Sequence, residues 1–146
     1  MENIESIFGI LHDGIITEWS GDEELLILKV ECEYIAKRID KTFNSFYVEI
    51  SKIEFLEFDP WMNPMQLPKT EMKEFSKVFE AELEIGYSKI ENDKVIVSCN
   101  QHDIDFDFCG GNLIIKAENG KIFDQNRTEI SIEMLSEICN DYWNRI

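Results

Sequence analysis

LLILKVECEY, residues 25–34, decides how the chain is read. Leu26, Leu28, Val30, Cys32 and Tyr34 recur at every second position, and Lys29, Glu31 and Glu33 fill the alternate ones. Side chains along a strand point alternately to opposite faces, so this period predicts an antiparallel strand with one dry face and one wet face. SGDE at 20–23 is turn-forming, which predicts a hairpin between 14–19 and 24–34.

The same period continues outward. In FYVEISKIEFLEF (46–58), Phe46, Val48 and Ile50 share a side until the phase blurs at Ser51-Lys52, predicting a bulge or a break into two strands. VFEAELEIGY (78–87) alternates Phe79, Ala81, Leu83, Ile85 and Tyr87 against Glu80, Glu82 and Glu84. KVIVSCN, DIDFDFCG and NLIIKAENGKIF follow as expected short strands, joined by turns at ENDK, Gly110-Gly111 and Glu118-Asn119-Gly120. Helical spacing is read at the C-terminus, where Ile132, Leu135, Ile138, Cys139, Tyr142, Trp143 and Ile146 recur every three or four residues behind a Ser131 N-cap. The expectation is one α+β domain, 1–146, with a mainly antiparallel, curved or sandwich-like sheet and one C-terminal helix packed on it.

The 146 residues include 30 Asp and Glu against 14 Lys and Arg, a net charge of −16, with acids in excess in both halves. A surface of this sign lacks the basic cluster that displaces counterions from phosphates, so nucleic acid and anionic membranes are not expected partners. A basic protein would instead be steered toward it. Cysteines 32, 99, 109 and 139 have no C-x-x-C spacing, and the N-terminus has no basic segment followed by an apolar run. Reduced thiols in a cytoplasmic protein are expected.

His12-Asp13 and His102-Asp103 contain the only two histidines. Metal phosphohydrolases with a His-Asp dipeptide need further ligands from a helical bundle, which this pattern does not offer. No metal and no cofactor is expected. Each pair is read as a strand start, with Asp13-Gly14 turning the chain and the histidine bonding locally. A calcium loop starting at Asp103 would need glycine at its sixth position and glutamate at its twelfth; Phe108 and Ile114 stand there. Asp103, Asp105 and Asp107 are therefore read as the wet face of a strand, an acidic surface for a cationic partner. No nucleophile elbow, P-loop or dinucleotide fingerprint occurs, so no catalytic residue is assigned.

All three prolines fall in DPWMNPMQLPKTEMKEF (59–75), read as a connection with a helical turn from Thr70. Trp61, Met62, Met65 and Leu67 within it are adaptable apolar side chains of the kind interfaces use, and Trp61, Met62 and Met65 join the three aspartates as candidate partner-binding residues. A third reading is a structural subunit that self-associates through this loop.

A small, acidic, strand-rich chain without catalytic motifs, opening on LHDGII (11–16), resembles the immunity proteins of bacterial toxin systems. The resemblance implies a non-enzymatic inhibitor that occludes a basic toxin or effector, and it assigns no residues. The alternative expectation is a small-ligand-binding domain or enzyme with a pocket near His12 and His102.

Overall fold

The structure, a computed structural model, describes residues 1–144. It contains seven strands: β1 (Ile15–Gly21), β2 (Leu25–Glu31), β3 (Ser45–Met62), β4 (Leu83–Glu91), β5 (Lys94–Gln101), β6 (Phe108–Phe123) and β7 (Glu129–Ile130). Four helices accompany them: α1 (Glu2–Ile10), α2 (Glu33–Ile39), α3 (Phe75–Val78) and α4 (Ile132–Asn144). The fold is α+β with an antiparallel sheet and a C-terminal helix packed on it, as expected.

The sheet runs β3-β2-β1-β4-β5-β6-β7, and β3 also pairs with β6, so six strands close on themselves into a small barrel. The closure is uneven. β3 and β6 pair from Tyr47↔Phe123 to Met62↔Phe108, whereas β1 and β4 meet only at Ile15↔Glu84 and Ile16↔Leu83. Beyond that short seam Trp19 of β1 is packed instead by Phe75 and Phe79, at ring separations of 6.2 and 6.3 Å. Leu26, Leu28 and Val30 of β2 and Phe46, Val48 and Ile50 of β3 are buried, so the alternation did mark the core face; Val95, Val97 and Cys99 of β5 are buried as well.

Several local expectations are corrected. The alternating run at 25–34 stops being a strand at Glu31; Ile35 and Ala36, consecutive and both buried, belong to α2. The strand expected over 78–87 begins at Leu83, behind α3. The blurred phase at Ser51-Lys52 is a bulge in one 18-residue strand, where Lys52 takes φ 54° and the register shifts after Ile53. β3 also runs through Pro60, a residue read as part of a connection. Proline is accommodated because β3 lacks β2 as a neighbour beyond Ser51, so that edge needs no donor there. The helical turn expected from Thr70 forms at Phe75–Val78.

Neither Gly110-Gly111 nor Asn119-Gly120 turns the chain; both lie within β6. Gly120 is small because α1 crosses it: a Cβ there would meet Ile4 Cγ1 at 2.7 Å. The ENDK turn does form, with Asn92 and Asp93 at φ 53° and 63° between Glu91 and Lys94.

α1 was not expected. Its Ile4, Ile7 and Phe8, with Leu11 just beyond it, are fully buried and pack across β4, β5 and β6. α4 lies beside α1 and α2 and sends Leu135 and Cys139 into the core. Ser131 caps it, accepting a hydrogen bond from Met134 N at 3.1 Å. Ile146, counted in its apolar stripe, lies outside the described residues.

Candidate functional site

One end of the barrel gathers the side chains that carry chemistry. Asp103, Asp105 and Asp107 do not form a strand face; residues 102–107 are a loop linking β5 to β6. The apparent alternation of DIDFD arises from a local turn. Asp103 Oδ1 accepts a hydrogen bond from Asp105 N at 2.9 Å, and Phe106 N bonds back to Asp103 O at 3.3 Å. Short carboxylate side chains commonly close such turns.

The loop is held from beneath by Gln101, which is 5% exposed. Its Nε2 donates to Asp103 O at 3.0 Å and to Phe108 O at 2.7 Å, while its Oε1 accepts from Asp103 N. One buried amide thus satisfies three backbone groups across the loop's base, fixing a segment with no ladder partners of its own. Ile104 stands at the tip, 97% exposed.

The two groups of candidate residues come together here. Met62 pairs with Phe108, Asn63 N donates to Asp107 O at 2.8 Å, and the thiol of Cys109 points to Trp61 O at 3.5 Å. Trp61 and Met65 are exposed. Met62 is half-buried against the core.

Three contiguous depressions surround the loop. An acidic one of about 380 Å³ is lined by Glu80, Glu82, Glu84, His102 and Asp103 above Ile15 and Ala81. A groove of about 490 Å³ has Met72, Phe106 and Phe108 among its walls and shares Glu80 with the first. A third, of about 380 Å³, runs past Asn63, Ile104, Asp107 and Cys109 and shares Phe106 and Phe108 with the groove. Lysines near this end are engaged: Lys69 with Asp59 at 2.8 Å, Lys73 with Glu57 and Lys77 with Glu80, each of the latter at 3.9 Å. The contact with Asp59 holds the Lys69 ammonium above its ordinary pKa. Among the described residues, the carboxylates of Glu82, Asp105 and Asp107 have no basic partner within salt-bridge distance.

The histidines have different surroundings. His102 Nε2 lies 3.3 Å from Glu84 Oε1 at the exposed rim. His102-Asp103 follows the end of β5 and does not start a strand. His12 sits in the turn after α1, where its Nδ1 is 2.9 Å from Gly9 O, its carbonyl accepts from the Tyr34 hydroxyl at 2.8 Å, and its ring stacks on Trp143 at 5.5 Å. Asp13, at φ 68°, makes the turn into β1. Among the described residues no group of three His, Cys, Asp or Glu side chains could hold a metal ion.

The thiols of Cys99 and Cys109 are free, one buried and the other exposed. No helix of the described residues is long and apolar enough to cross a membrane. Gln101 and Phe106 carried no signal that local patterning could raise: a glutamine after a strand is unremarkable, and Phe106 looked like an inward strand residue.

No family model, curated protein or solved structure matches the chain.

Proposed function

We propose that this protein is a non-catalytic protein-binding domain whose acidic barrel end engages a basic partner, acting as an immunity-type inhibitor that occludes a basic toxin or effector. The observation that carries this reading is Ile104: an apolar side chain presented almost entirely to water, on a loop pinned by a buried glutamine and ringed by carboxylates. A large apolar residue at the tip of a rigid loop gains free energy only when something covers it. Pinning removes much of the ordering cost that a mobile loop would incur on binding. The surrounding carboxylates steer a cationic surface in, and burial of Ile104, Trp61 and Met65 then slows its release.

A photocrosslinking residue at position 104, expressed in cells that make the protein naturally, tests the reading. The expected product is one basic protein, lost when Asp105→Lys and Asp107→Lys are combined. Capture of an acidic protein, or capture indifferent to that charge reversal, overturns it. A small-ligand reading draws on the acidic depression beside His102, and it predicts instead that a low-molecular-weight cation raises the melting temperature and competes with no protein.

A further inference from the structure

The groove beside the loop carries a more specific inference, which rests on the reading that the partner is a basic protein. Met72 and Phe106 are half-buried and Phe108 is nearly covered, and these three give the slot an apolar wall within an otherwise polar and charged lining. Its rings are braced: Phe108 packs against Phe106 and Phe58, with centroids 5.6 Å apart in both pairs. Across Glu80 the slot opens directly into the depression lined by Glu82, Glu84 and Asp103. The two lysines of the slot wall, Lys73 and Lys77, are paired with Glu57 and Glu80, so they present less free positive charge to an incoming group.

We propose that this surface takes an extended, cationic segment of the partner in which one large apolar side chain enters the Met72–Phe106–Phe108 groove while flanking lysines or arginines lie over Glu82, Glu84 and Asp103. Charge complementarity selects the occupant. A neutral apolar peptide would leave the Glu82 carboxylate of the adjoining depression without a basic partner, and an acidic one would add like-charge repulsion. Contiguous depressions wrapped round a loop suit a length of chain, and a central apolar anchor flanked by charge is a common division of labour in interfaces.

Three pentapeptides test this on the full chain: Lys-Lys-Trp-Lys-Lys, Lys-Lys-Ser-Lys-Lys and Glu-Glu-Trp-Glu-Glu, titrated by NMR. The tryptophan-lysine peptide is expected to bind at least about tenfold tighter than the serine one and to shift the amides of Met72, Phe106 and Phe108. Phe106→Ala is expected to remove that advantage while leaving the serine peptide's affinity unchanged. Equal binding of the two lysine peptides overturns the groove proposal and leaves the acidic-surface reading standing. Binding of the glutamate peptide as tightly as its lysine counterpart, or of none at millimolar concentration, overturns both. Should Phe106→Ala disturb the fold, the amide shifts of the unmodified protein decide: shifts confined to other faces overturn the proposal.

Discussion

Gln101 and Phe108 hold the base of the acidic loop closed, the amide of the first donating to the carbonyl of the second at 2.7 Å. Gln101→Leu keeps approximate size but removes two donors and an acceptor, orphaning Asp103 N and weakening the tie at both carbonyls. Leaving buried polar groups unpaired typically costs about 1–3 kcal/mol. Urea denaturation is expected to show a loss of that order, and hydrogen exchange to speed up at Asp103 while β2 stays protected. Unchanged exchange at Asp103 would mean that the loop is held by something else.

Ile104 separates display from stability. Its side chain is 97% exposed, so Ile104→Ser is expected to change stability by no more than about 0.5 kcal/mol. If the proposed protein-binding role holds, the same substitution is expected to weaken capture of the partner markedly, read as a faster dissociation rate. A substantial fall in melting temperature would show that Ile104 packs against the protein itself.

Gly120 lies beneath α1, so Gly120→Ala forces a methyl toward Ile4 Cγ1, where only 2.7 Å is available. Overpacking of this kind typically costs about 1–3 kcal/mol. A hairpin turn at Asn119-Gly120 would respond differently, since the cost would then come from backbone conformation and disappear with an Asn substitution. Gly120→Asn is therefore expected to destabilise more than Gly120→Ala, because it carries more volume into the same contact.

The same glycine shows what the sequence could express. Alternation reports which face of a strand is dry, and it marked Leu26, Leu28, Phe46 and Val48 correctly. It does not report partners distant in sequence. The β3–β6 pairing that makes Asn119-Gly120 part of a strand joins residues such as Ser51 and Asn119, and no local pattern encodes that. Ile4, Ile7, Phe8 and Leu11 do follow the helical spacing that α1 shows, but the strand reading of LHDGII, with its Asp13-Gly14 turn, left that spacing unread. At the barrel end, Trp61, Met65 and the three aspartates were visible as unusual residues. Their union depended on Met62 meeting Phe108 and on one buried glutamine, neither of which has a sequence signature.

The buried thiols set a limit on alkaline stability. Burial pushes the pKa of Cys99, and of Cys32 in the core beside Tyr34, from 9.0 up to about 12 in each case. Burial also raises the Tyr34 hydroxyl, helped by the nearby thiols Cys32 and Cys139. In the unfolded chain these thiols lose their protons near pH 9.0, whereas in the folded protein they keep them. Between those limits the unfolded state binds fewer protons, so stability falls as pH rises; well below pH 9.0 the thiols contribute no slope. Each fully shifted thiol can account for up to ~1.4 kcal/mol per pH unit in that window. Urea midpoints measured from pH 8 to 11 are expected to decline, and Cys99→Ala, although less stable at neutral pH because of the volume it removes, is expected to decline less steeply. Exposed Cys109 is expected to react first with a thiol reagent in the folded protein, with Cys99 reacting only on unfolding. Equal slopes for the two proteins, or early labelling of Cys99, would place that thiol in contact with water.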